Sequence, residues 1–239
     1  MISAIKKFSK NNFTFIGLVI LIIVFGLATP EFLKVKNIID IFKQISIYSV
    51  VSFAMTFAII CGVMDLSVSS VFSFPSLIFI HSSALLGVFA AFLITTAIGA
   101  LIGLINGLLV ARAKINAWIV TLSTMITVKG IALTWSNGNP IRNNDELLYQ
   151  IGNGTLLKIP YLVWFMGIAF IAAHILLKYT RFGRNIYATG GNYAVAKAAG
   201  VNVVFYKTIV FVILGAIAAF QGSLLGCRMG SGSILYGSD

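Results

Sequence analysis

Acidic side chains are scarce in this chain: among 239 residues there are six, Glu31, Asp40, Asp65, Asp145, Glu146 and Asp239. Soluble domains carry about 25% charged residues, whereas here 10% are charged and 59% hydrophobic. So few charges cannot clothe a water-facing surface, and several apolar runs reach the ~20 residues that cross a bilayer. Cysteine is nearly absent too. Cys61 and Cys227 lie far apart in apolar surroundings, which gives neither a disulfide framework nor metal-ligand spacing; they read as small buried hydrophobes. No Ser/His/Asp set and no phosphate-cradling glycine loop of the G-x-x-x-x-G-K-[ST] kind is present. Gly190-Gly191-Asn192 lacks the spacing and the preceding strand of a dinucleotide loop. No catalytic centre, bound cofactor or metal is expected of the chain itself.

What is abundant is apolar sequence, and the fold class that follows is all-α: a polytopic bundle of about seven membrane spans over residues 1–239, in one domain. The spans are expected at 13–28, 45–61, 66–80 (interrupted by Pro75), 85–110, 115–135, 161–178 and 208–226. An amphipathic stretch over 37–43 is expected to lie at the interface before the second of them. The first span follows Lys6, Lys7 and Lys10, but no small-x-small cleavage site precedes Thr29-Pro30, so it reads as a retained anchor.

The net charge is +11, but Lys and Arg sit one to three at a time at the ends of apolar runs. That distribution sets topology and anchors lipid headgroups, and does not form a face for nucleic acid. With the N-terminus in the cytoplasm, ten Lys and Arg fall inside and six outside, and the polar stretch 136–158 lies outside.

Three groups of residues stand out. Asp65 is the one acid embedded in the apolar succession, next to Gly62, Ser67, Ser69 and Ser70. A carboxylate at depth is costly and faces a cavity, a partner or water. Gly62 and the serines suggest a break between helices, with the serines capping the next one; Asp65, with Ser67 and Ser70, either lines a polar path or caps a short helix at the inner membrane surface. Gly99 and Gly103 have the small-xxx-small spacing of closely packed helices, and Asn106 and Gly107 extend that face. Lys129 reads as a snorkelling side chain. The third group is Thr180 to Gly200, basic and glycine-punctuated, with a short helix expected from Asn192 to Ala199 and ended by Gly200. Its composition suits docking to a soluble partner, with Arg181 and Arg184 available to pair with acids there.

Together these segments resemble the inner-membrane permease subunits of bacterial ATP-binding-cassette (ABC) importers for simple sugars, the ribose, galactose, xylose and allose group. Gly62 to Ser70 is similar to that family's G-G-I-D-L-S-V-G-S, with departures at Cys61 directly before it and at Met64 and Ser69 within it. Gly103-Leu104-Ile105-Asn106-Gly107, with Ala117 to Leu122, is similar to its G-x-x-N-G and P-F-I-x-T-L stretch, Ala117 standing where proline is usual. Thr180 to Val201 follows its T-R-F-G-R-x-x-Y-A-x-G-G-N-x-x-A-A-x-x-A-G-I loop almost throughout.

The resemblance implies that residues 179–207 form the cytoplasmic loop that couples to the ATPase, through Arg181, Gly183, Arg184, Gly190, Gly191, Asn192, Ala198, Ala199 and Gly200. It implies an ABC ATPase subunit that carries ATP and Mg, a sugar-binding protein and a second permease copy as partners, all at the bacterial inner membrane. Family permeases run on through further spans, so a shortened, inactive remnant is the alternative expectation. An ion-coupled secondary transporter is a further one, disfavoured by the lack of intramembrane acids.

Overall fold

The computed structural model describes residues 13–237; Lys6, Lys7, Lys10 and Asp239 lie outside them. It is helical, in the order α1 (Phe13–Ala28), α2 (Val35–Ile60), α3 (Val68–Leu86), α4 (Val88–Ala111), α5 (Ala117–Ser136), α6 (Glu146–Asn153), α7 (Tyr161–Tyr179), α8 (Arg181–Gly191), α9 (Tyr193–Ala198) and α10 (Val203–Met229). Six of them, α2, α3, α4, α5, α7 and α10, are long and apolar enough to cross a membrane, and α1 is a shorter apolar helix. This is a multi-pass helical membrane protein with about seven spans.

The chain divides into two compact units at Gln44 and Ile45. In the first, α1 ends in a turn where Phe25 and Phe32 pack as a tilted pair with ring centres 5.7 Å apart and Asn37 Nδ2 donates to the Phe32 carbonyl at 2.8 Å. The stretch 37–43 is not a separate interfacial helix. It forms the first turns of α2, because nothing between Val35 and Ile60 breaks the helix: neither proline nor glycine occurs there.

In the second unit α10 is the central column. It runs antiparallel to α4 along a glycine seam: a Cβ at Gly99 would overlap the Gly215 carbonyl, one at Gly103 the Phe211 carbonyl, and one at Gly107 would stand 2.8 Å from the Thr208 Cα. On its other side Gly222 brings α10 against the backbone of α3 at Phe72. Such backbone-to-backbone approach holds helices together where lipid offers no hydrophobic drive. Pro75 lies inside α3 without ending it. One missing N–H is a loss that a helix buried among neighbours can absorb.

The helices leave the bundle with two distinct ends. One gathers the 61–67 connection, the α4–α5 connection and residues 180–202. The other carries α6, a two-residue ladder between β1 (Ile141–Arg142) and β4 (Ser231–Gly232), and a hairpin of β2 (Thr155–Leu156) and β3 (Ile159–Pro160). The α6 helix starts at Asp145, whose Oδ1 accepts from the Leu147 N–H at 2.8 Å, and Gly152 seats it against the backbone at Cys227 and Arg228. Both cysteines are fully buried and unpaired. After Met229 the chain turns back: Gly232 lies against Ser76 and Leu77, and Gly237 against Ser69 and Phe72. Residues 231–237 thus run down the side of α3 as non-helical backbone.

Candidate functional site

The segment after α7 is built as two helices. Thr180 is extended, and its hydroxyl accepts from the Gly183 N–H at 3.2 Å to start α8. Along α8, Gly183, Ile186 and Thr189 are buried, whereas Arg181, Arg184 and Tyr187 are exposed. The buried face is clamped by backbone. A Cβ at Gly183 would overlap the carbonyls of Leu176 and Leu177 in α7, and one at Gly190 the carbonyl of Ile60, the last residue of α2. Ile186 enters a core cluster with Phe57, Ala58, Phe211 and Leu214, and Asn185 Nδ2 donates to the Tyr206 hydroxyl at 2.6 Å.

Asn192 then caps α9, its Oδ1 accepting from the N–H groups of Ala194 and Val195 at 3.0 and 3.1 Å. Gly200, at φ +82°, closes the helix; its N–H donates to the Lys197 carbonyl and that of Val201 to Ala196, both at 3.0 Å. Within α9 Ala196 alone is buried. Tyr193, Val195, Lys197, Ala198, Ala199 and Gly200 face outward. The result is a small knob with an apolar crown and two outward arginines beside it. Among the described residues no carboxylate pairs with Arg181 or Arg184.

Of the sequence-derived set, Arg181, Arg184, Gly191, Asn192, Ala198, Ala199 and Gly200 lie on this exposed surface, while Gly183 and Gly190 fix it to the bundle. Sequence reasoning missed α8. Its signal was the spacing of Phe182, Gly183, Ile186, Thr189 and Gly190, three or four apart, with glycine in the contact positions. Beside the knob opens a cleft of about 680 Å³ whose walls include Gly62, Met64, Lys114, Asn116, Tyr193 and Lys207.

The second group sits inside the bundle. Asp65 is 3% exposed and Ser67 and Asn106 are fully buried. Asp65 Oδ1 accepts from the Ser67 N–H at 2.8 Å and also from its hydroxyl. Asn106 Nδ2 donates to Ser67 Oγ at 3.0 Å, and Asn106 Oδ1 accepts from Thr124 Oγ1 at 2.6 Å. Ser67 occupies the N-cap position of α3 without a side-chain capping bond; Asp65 instead holds the N–H and hydroxyl of Ser67 just ahead of the helix, and the chain of bonds ties the start of α3 to α4 and α5. Ser70 turns inward to the Ser67 carbonyl at 2.8 Å.

Asn106 stands five residues before the end of α4 and Thr124 seven after the start of α5, about 7 and 10 Å along the helix axes. The break thus lies one to two turns in from that end of the bundle, covered by protein as irregular backbone at depth must be. Replacing Asn106 by leucine leaves Thr124 Oγ1 without its acceptor and takes a donor from Ser67 Oγ, which keeps its bond to Asp65. The expected cost is about 2 kcal/mol, read as a lowered midpoint in detergent-solubilised unfolding, with Thr124→Val costing less because it removes one bond.

The fold is a polytopic helical bundle that carries an exposed two-helix knob. Comparison with known proteins gives the family: residues 37–238 match the branched-chain amino acid transport system / permease component family, and the chain belongs to it. Among curated relatives, the ribose import permease protein RbsC of Haemophilus influenzae is 37% identical over 232 residues, 95% of this chain and 72% of that protein. RbsC of Escherichia coli K12 is 34% identical over 235 residues, with the same two shares, 95% and 72%. The L-arabinose ABC transporter permease protein AraH of Azospirillum brasilense is 35% identical over 212 residues, 87% of this chain and 61% of that protein. No solved structure matches the chain.

Proposed function

We propose that the chain is the membrane-spanning permease subunit of an ABC importer for a monosaccharide, energised by a separate ATPase and supplied by a sugar-binding protein on the opposite face. The observation that carries this reading is the capped knob of α8 and α9, whose outward arginines have no carboxylate partner among the described residues. The relatives named as ribose and arabinose permeases point to a sugar as cargo. In this reading the knob and the N-terminus lie in the cytoplasm, α6 and the β1–β4 ladder lie outside, and a second permease copy completes the path. ATP and Mg belong to the partner. An ion-coupled mechanism would need a carboxylate free to bind and release its ion at depth, and Asp65 is engaged with Ser67.

The test is import in proteoliposomes. The chain with its ATPase and a sugar-loaded binding protein will accumulate ribose or arabinose only with ATP; import without ATP, driven by an ion gradient, overturns the reading. Orientation has its own measurement. Cysteine at the exposed Asn144 will react with an impermeant thiol reagent from the periplasmic side only, and cysteine at Lys197 from the cytoplasmic side only. The reverse pattern would remove the knob from the ATPase altogether.

A further inference from the structure

Lys129 stands in the second half of α5. It is twelve residues into α5 and seven from its end, about 18 and 10 Å along the axis. There it lines a hollow of about 20 Å³ with Ser69, Ser70, Ser73, Tyr236 and Gly237, a volume that takes roughly one water. Lys129 is exposed and Ser69 half-buried. Among the described residues Lys129 has no carboxylate partner, and the Ser69 hydroxyl, unlike those of Ser70 and Ser73, has no hydrogen bond.

A second, independent feature marks the same place. The returning backbone of 231–237 passes Ser76, Phe72 and Ser69 without helical hydrogen bonding. Irregular backbone at membrane depth survives only under protein cover or beside water, and a lone ammonium at depth obeys the same rule. Two features that lipid does not tolerate therefore share one face.

We infer that this face, formed by Lys129 of α5, Ser69 of α3 and the returning strand at Tyr236 and Gly237, lines a water-filled translocation path. There Lys129 and Ser69 exchange hydrogen bonds with the hydroxyls of a passing neutral polyol. The ammonium offers three donors and no acceptor, and the serine hydroxyl offers a donor and acceptor lone pairs. This set serves a polyhydroxylated cargo without selecting charge of its own sign. A cation would be repelled. That the cargo is a sugar rests on the function proposed above; that the face is wet does not.

The experiment has two arms, both on the full chain in membranes. In the first, Lys129→Cys is treated with a trimethylammonium methanethiosulfonate. Cys61 and Cys227 are fully buried, so the unsubstituted chain serves as the blank. Asn144→Cys gives the rate at an exposed end, and Ile168→Cys, 64% exposed on α7, the rate on a lipid-facing surface. The position will react within tenfold of Asn144→Cys and at least a hundredfold faster than Ile168→Cys. A rate equal to that of Ile168→Cys overturns the wet face.

In the second arm, Lys129→Met will lower sugar import at least tenfold with ATPase association intact. Lys129→Arg will keep more than half of it, and Ser69→Ala will lower it two- to fourfold. Undiminished import by Lys129→Met overturns the cargo contact. If the unsubstituted transporter imports no sugar at all, the permease function fails, while the labelling rates still decide whether the face meets water.

Discussion

Leucine at Gly103 will leave no assembled bundle. A Cβ there would overlap the Phe211 carbonyl and stand 3.0 Å from the Val212 Cα; both are backbone, and neither can turn aside as a side chain would. Gly99 and Gly107 lie on the same line of contact, so prising α4 from α10 at one point opens the whole seam. Overpacking of this kind costs about 3 kcal/mol or more, and in a bilayer close packing is much of what holds helices together. The expected result is loss of the monodisperse peak in detergent, with Gly103→Ala showing a lowered melting temperature. The control is Gly130 or Gly167, where a new Cβ meets nothing within 4 Å; leucine there should be tolerated. A wild-type profile for Gly103→Leu would mean that α4 and α10 do not meet as described.

The second large effect is on association. Converting Arg181 and Arg184 together to glutamate will weaken ATPase binding at least a hundredfold, or about 3 kcal/mol and more, since two attractive contacts become like-charge contacts. Insertion and melting temperature should stay unchanged, because both side chains are exposed and neither has a described carboxylate partner to lose. Co-purification of the ATPase followed by a binding titration reads the result. Unaltered affinity would separate the arginines from docking and leave the apolar crown of Tyr193 and Val195, 45% and 64% exposed, as the sole contact surface.

Much of the architecture was legible because its causes are local. Apolar length located the spans, and Asn192 with Gly200 bracketed α9 by ordinary capping chemistry. What escaped depends on neighbours that a linear reading does not see. Glycine normally discounts a helix, yet Gly183 and Gly190 are where α8 touches α7 and α2. Proline normally ends one, yet Pro75 is carried through by the helices around it. For α6 the signal was present in Asp145, Glu146 and the Leu147-Leu148 pair, a capped start before an apolar step, but the polarity of 136–158 masked it. Asp65 was recognised as exceptional, although nothing in its own segment reveals Asn106, some forty positions away. The neighbours of Lys129 were hidden for the same reason: span position says how deep a side chain sits, not which helix it meets.

The glycine contact at 190 has a mechanical meaning. Where two elements meet through side chains, rotamer changes can soak up a displacement. Gly190 and the end of α2 meet main chain to main chain, leaving almost no slack. A push on the α9 knob therefore cannot be dissipated at that joint. It arrives at Ile60 and Cys61, passes into the short connector that holds Asp65, and reaches the foot of α3 through the Asp65–Ser67 bonds. If the knob docks as proposed, this joint is the stiff link between docking and the foot of α3.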